Sequence, residues 1–190
     1  MRAVDRRTLV LGLATLTLCA AATAPAPARE RVPVGAKSGI DIAQAAAHSW
    51  APDAVLVYLE NDEDVDGAGA ADRWGYLYYS PGRELSRIYS VRDGKILEAE
   101  NLQMQFDAPP LTNGWLDSGA AVAAAEAGPG GEFRREQSGR LATMLLMRGA
   151  FHGGDPNETT WTLIYTSPRA PSLFVVVDAL EGKVRRTWRG

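Results

Sequence analysis

Trp74-Gly75-Tyr76-Leu77-Tyr78-Tyr79-Ser80-Pro81 and Trp161-Thr162-Leu163-Ile164-Tyr165-Thr166-Ser167-Pro168 carry Trp, Tyr, Ser and Pro at the same four positions, at an offset of 87. Each octet is followed by a second apolar stretch and then by a matching turn. The turns are Asp93-Gly94-Lys95-Ile96 and Glu181-Gly182-Lys183-Val184, at an offset of 88. Upstream, residues 41–48 and 118–127 are both alanine-rich, and each precedes a short apolar segment, at 54–59 and 141–147. Four features in one order point to an internal duplication.

Each copy reads as a helix followed by strands. Ile42, Ala45 and Ala46 recur at helical spacing, with Asp41 as the expected N-cap and Pro52 closing the region. In the second copy Asp117 or Ser118 is the expected cap, and Gly128-Pro129-Gly130-Gly131 the expected end. The run Ala54 to Leu59 is β-branched and aromatic, as strands prefer. In the next strand Trp74, Tyr76 and Tyr78 share one face, and Leu77 and Tyr79 the other. Asp93-Gly94 is a two-residue hairpin signal. Strands joined by turns this short must be antiparallel, because parallel neighbours need crossovers of a dozen or more residues. The expected fold class is therefore α+β, with two tandem repeats, each an N-terminal helix followed by an antiparallel sheet of about four strands. The expected boundaries are a leader at 1–28, an unstructured arm at 29–39, repeat 1 at 40–106, a connector at 107–116 and repeat 2 at 117–190. Each repeat alone would have a marginal core, so the two are expected to pack together.

The leader has the order of an export signal. Arg2, Arg6 and Arg7 precede an uncharged apolar run from Thr8 to about Ala22, followed by Ala24-Pro25-Ala26-Pro27-Ala28. Ala26 and Ala28 would fill the two small-residue positions before a cut at Arg29. The run is shorter than a spanning helix prefers. Arg6-Arg7-Thr8-Leu9-Val10 resembles a twin-arginine signal, and Leu16-Thr17-Leu18-Cys19 a lipoprotein box in which Leu18 replaces the usual small residue. The expected location is periplasmic or secreted, with membrane attachment only through a retained or lipidated leader.

Composition narrows the function classes. The 190 residues are 46% hydrophobic and 23% charged, as in a folded globular chain. With 20 Lys and Arg against 23 Asp and Glu there is no basic excess to recognise nucleic acid. Removal of the leader after Ala28 would leave 17 basic against 22 acidic residues, a net charge of −5. Cys19 is the single cysteine, so the chain has no internal disulfide and no cysteine metal cluster. His48 and His152 are the only histidines. No nucleophile elbow, P-loop or H-E-x-x-H motif occurs.

The stretch Trp161-Thr162-Leu163-Ile164-Tyr165, with Leu173-Phe174-Val175-Val176-Val177-Asp178-Ala179-Leu180-Glu181-Gly182-Lys183-Val184, resembles a PepSY module. Such modules end in a tryptophan-led strand and then a strand running into Asp-Ala-x-x-Gly-x-Val. The likeness covers about 30 residues well. The first copy keeps only the turn, at Ser90-Val91-Arg92-Asp93-Gly94-Lys95-Ile96, and is one residue shorter. The resemblance implies a small helix-plus-antiparallel-sheet domain outside the cytoplasm. It implies restraint of a peptidase, with no catalytic residues to carry over.

Three groups of residues are candidate sites. Asp62, Asp64 and Asp66 with Gly67 stand at positions 1, 3, 5 and 6 of a calcium loop, although position 12 is Arg73 instead of Glu. Their bland alternative is a solvated hairpin loop. Trp74, Tyr76, Tyr78, Tyr79, Trp161 and Tyr165 could form an aromatic binding face. One face of each strand must also pack on the helices, and alternation does not say which. Arg185, Arg186 and Arg189 suit a solvated edge strand. His48 suits the C-terminal end of a helix, and His152 a loop. The expected function is non-catalytic binding of a peptidase or another envelope protein through the exposed sheet face, without a cofactor. The rivals are a calcium- or small-ligand-binding protein and an enzyme of unrecognised type.

Overall fold

The computed structural model describes residues 32–102, 108–149 and 155–190. The expected leader, Cys19 and His152 lie outside the described residues. Residues 31–190 form one compact unit. Its first helix α1 is Ile40–Trp50, followed by β1 Val55–Asn61, β2 Trp74–Ser80, β3 Leu85–Arg92 and β4 Lys95–Asn101. Then come α2 Ser118–Glu126, α3 Pro129–Gln137, β5 Arg140–Arg148, β6 Thr159–Thr166, β7 Leu173–Asp178 and β8 Val184–Arg189. The fold is α+β. The strands make one antiparallel sheet of eight, in the order β4-β3-β2-β1-β5-β6-β7-β8. Each half supplies a four-strand meander, and the halves meet edge to edge at β1 and β5.

That seam is short. Its register pairs Tyr58 with Met147, Leu59 with Leu146 and Glu60 with Leu145. Asn61 extends it with its side chain. Its Oδ1 accepts from the Met144 amide at 2.6 Å, and its Nδ2 donates to the Glu63 carbonyl at 2.7 Å. At the other end β1 has a bulge at Leu56/Tyr58, and the Leu56 carbonyl accepts from the Leu111 amide of the connector. The connector is thus tied to the sheet. Leu116 N–H also reaches the Ala179 carbonyl, and Thr112 N–H the Thr159 hydroxyl.

The helices lie on one sheet face and share a core with it. Ala43 and Ala47 of α1, Ala121, Val122 and Ala125 of α2 and Phe133 of α3 join Trp74, Tyr76, Tyr78, Trp161, Leu163 and Tyr165 in one cluster. Small residues on α1 and α2 let the helix backbones sit close to these large rings. At its centre Trp161 meets Trp74 edge-on at 6.2 Å and Trp115 edge-on at 6.0 Å. Both strand-leading tryptophans end on a carbonyl just ahead of a helix. Trp74 Nε1 donates to Val34 and Trp161 Nε1 to Leu116, at 2.9 and 2.8 Å.

The described part of the expected arm, residues 32–39, is ordered structure instead. Val34 bridges Ala71, and Ala36–Gly39 is a 3-10 turn. Ala36 is fully buried. The Tyr76 hydroxyl donates to the Ala36 carbonyl and accepts from the Gly39 amide, and the Ser118 hydroxyl accepts from the Ala36 amide. These long-range anchors have no periodic trace in the sequence. Asp41 lies inside the first turn of α1, where a carboxylate suits the dipole, and Gly39 is the cap. Asp117 does cap α2, accepting from the Ser118 amide. Gly128-Pro129-Gly130-Gly131 ends α2 and then begins a further helix, with Pro129 in its first turn. Gly130 is needed there, because an added Cβ would lie 2.7 Å from the Tyr165 hydroxyl.

The two turn signals resolve differently. Asp93 and Gly94 take φ of 50° and 65°, the left-handed pair that a two-residue hairpin requires. The β7–β8 turn is longer. Asp178 holds it, with Oδ1 accepting from the Leu180 and Glu181 amides at 2.7 and 2.8 Å. Asp53 holds the β2–β3 turn in the same way, accepting from the Ser80 hydroxyl and the Gly82 amide, both at 2.6 Å. The Ser80 hydroxyl and the Gly82 amide draw the Asp53 pKa below its ordinary value. Burial pulls Asp178 upward, but the amides of Glu181 and Leu180 and the Arg185 guanidinium outweigh it and leave that pKa lowered too. Both carboxyls therefore bind fewer protons folded than unfolded. Their stabilisation is complete above the unfolded value of about 4 and is lost as pH falls through the lowered folded values. A Tm series from pH 7 to pH 2 should fall below about pH 4, and Asp178→Asn should flatten that limb. An unchanged limb would deny Asp178 this role.

Candidate functional site

The acidic loop does not gather its carboxylates. Asp62 accepts from the Ser90 hydroxyl and lies 3.7 Å from Arg73 Nε. Glu63 pairs with Arg92 and also lies 3.7 Å from Arg73 Nε. Asp66 Oδ1 accepts from the Ala68 and Ala70 amides at 2.8 and 2.9 Å, closing its own turn. Asp64 is exposed. Val65 bridges Ala71 and inserts its side chain into the core, so the chain runs as a narrow hairpin and does not wrap around an ion. Among the described residues, no group of three or more His, Cys, Asp or Glu side chains is placed to hold a metal. The calcium reading of Asp62, Asp64 and Asp66 is corrected accordingly.

The aromatic candidates divide by face. Trp74, Tyr76, Tyr78, Trp161 and Tyr165 are no more than 2% exposed, beneath the helices. They form core, and the binding-face reading fails for these five because the helices need the largest rings under them. Tyr79 alone points to the opposite face, where it is half-buried.

No described helix packs on that opposite face. Register assigns its residues: Tyr58 stands between Leu77 and Met147, Tyr79 between Val55 and Ser86, Ile88 beside Leu77, and Ile164 beside Phe174. Toward the β8 edge Phe174 stacks on Trp188, with centroids 4.8 Å apart and planes 7° apart. The Arg186 guanidinium lies 5.4 Å from the Trp188 ring. Tyr58 donates to Glu60 Oε2 at 2.6 Å, and burial together with that carboxylate raises its pKa. An antiparallel sheet with one solvated side ordinarily alternates apolar and polar. Here β1, β2 and β7 carry large apolar groups on both sides. Sequence reading missed Tyr58, Phe174, Trp188 and Arg186 as face residues. The usable signal was cross-strand: Phe174 and Trp188 have the same parity relative to the β7–β8 turn.

The C-terminal arginines are engaged, not merely solvated. Arg185 pairs with Glu158 at 2.7 Å and with Asp178, and Arg189 lies 4.2 Å from the Phe133 ring centre. His48 is exposed in the last turn of α1, as its sequence position suggests.

No family model matches the chain, and no curated protein matches it. Among solved structures the chain is similar to a protein described as a "putative lipoprotein" from Clostridium difficile 630. The TM-score is 0.53 at 15% identity, covering 86% of this chain and 97% of that one. At that identity the likeness is one of fold. No helix of the described residues is long and apolar enough to cross a membrane.

Proposed function

We propose that this is an exported, non-catalytic binding protein that takes a partner protein, a peptidase by its PepSY-like ending, on the sheet face that no described helix covers. The observation that carries the proposal is the apolar character of that second face, with Tyr58, Tyr79, Phe174, Trp188 and Arg186 on it. Trp, Tyr and Arg are the residues that dominate binding energy when a partner desolvates them. The leader pattern and the fold shared with a protein described as a lipoprotein support export. In this reading the two α–β halves descend from a duplication and build one continuous platform that neither half could present alone.

The test is capture from a native envelope fraction by the wild type, by Phe174→Ala/Trp188→Ala and by Asp41→Ala, each shown to be folded. The face variant should lose a protein that the wild type and Asp41→Ala, altered on α1, retain. If that protein is a peptidase, its hydrolysis of casein should slow with added wild type and not with the face variant. Equal capture by all three would refute the face.

A further inference from the structure

We propose that a cleft on the helix side, between α1, the start of β1 and the 110–115 connector, binds a small uncharged molecule bearing hydroxyl or amide groups. The cleft encloses about 340 Å³, at the small end of the roughly 300–1,000 Å³ typical of ligand sites. It exists because the connector is drawn onto β1 by the Leu111–Leu56 pairing, leaving a gap between it and α1. Successive turns of α1 present Ile40, Gln44 and His48 to that gap. Asn113 and Trp115 line the connector side, and Tyr78 lines the sheet side.

Two observations give the ligand's chemistry. First, Tyr78 is 2% exposed, yet its hydroxyl makes no hydrogen bond to any described residue. Its neighbours Tyr76 and Tyr89 donate theirs to the Ala36 and Ala46 carbonyls. Tyr165, at the matching position of β6, is roofed by Gly130 of α3. The Tyr165 hydroxyl is sealed in there without a partner among the described residues, whereas the Tyr78 hydroxyl stays accessible on the cleft wall, where a ligand can pair with it. Burial raises the Tyr78 pKa, so the group stays a neutral phenol there. Second, no carboxylate, ammonium or guanidinium is among the described lining residues, and the one ionisable group besides the Tyr78 phenol is the exposed His48 imidazole at the end of α1. Away from His48 an ion would lose its hydration without a counter-charge. Gln44 and Asn113 each offer a donor and an acceptor, which suits hydroxyl or amide groups above an apolar floor. This site lies on the opposite face from the proposed partner surface and stands or falls separately.

The test is an NMR titration of the full chain, following the tryptophan indole signals. The probes are glucose, N-acetylglycinamide and, as a charged control, glucuronate. The first separates a sugar source of the chemistry from the second, a peptide-like amide source. One neutral probe should shift the Trp115 indole saturably, with smaller shifts at Trp74 and Trp161, whose indoles are bonded inside the core. Tyr78→Phe, which keeps the ring, should weaken binding by about 2- to 12-fold. Gln44→Ala/Asn113→Ala, altered at exposed positions, should weaken it by about tenfold or more. No saturable Trp115 shift with either neutral probe would overturn the proposal. So would binding unchanged in both variants, or glucuronate binding as well as the neutral probes.

Discussion

Trp161→Ala is expected to lower the unfolding free energy by about 3–5 kcal/mol, the range for removing a large buried ring. The indole is fully buried, sits edge-on to Trp74 and Trp115, and donates to the Leu116 carbonyl. Its removal empties the point where both halves and the connector meet. At roughly 2–4 °C per kcal/mol for a chain of this size, Tm should fall by roughly 6–20 °C. Trp161→Phe should fall in between, because it refills part of the space and strands the carbonyl. Trp188→Ala, half-buried on the otherwise exposed edge strand, should cost far less. Thermal unfolding of the three variants checks the order. A Trp188→Ala loss matching that of Trp161→Ala would mean that the core is misplaced.

Asn61→Ala should cost about 1–3 kcal/mol, more than an ordinary partly exposed side chain. It leaves the Met144 amide without its acceptor and the Glu63 carbonyl without its donor, at a seam with only three paired positions. Asn101→Ala, which removes a surface bond to Arg87, is the near-neutral control. Urea denaturation gives the free energies. Hydrogen exchange should show the Met144 amide losing protection disproportionately in Asn61→Ala. Unchanged protection at Met144 would show that the β1–β5 seam does not depend on Asn61.

Much of the architecture is written in local signals. The Trp-x-x-x-Tyr-x-Ser-Pro octets, the alternation of Trp74, Tyr76 and Tyr78, the Asp117 cap and the Asp93-Gly94 turn are all read within a few residues of chain. Antiparallel neighbours within each half also follow from short turns, but the β1–β5 pairing that joins two expected four-strand sheets into one sheet of eight does not. What was not legible depends on distance in sequence. Ala36 is buried by partners 40 and 82 residues away, so its segment reads as a tail. Gly128-Pro129-Gly130-Gly131 reads as a stop because Gly and Pro disfavour helix interiors, yet Pro suits a first turn and Gly130 is demanded by Tyr165. The site was the least legible part. Alternation shows that two faces exist, but only the placement of the helices says which face is core. The acidic loop misled for a related reason: Asp at alternate positions matches the start of a calcium loop, but the bridge from Val65 to Ala71 decides where those carboxylates point.

The central claim is that this protein meets its partner through the sheet face that no described helix covers. A photo-reactive amino acid placed singly at Tyr79, Phe174 or Glu132 in the cell tests it most directly. Tyr79 and Phe174 lie on that face, and Glu132 is exposed on α3. A discrete covalent adduct with one envelope protein from Tyr79 and Phe174, and none from Glu132, is the predicted result. Adducts from Glu132 with none from the two face positions would contradict it.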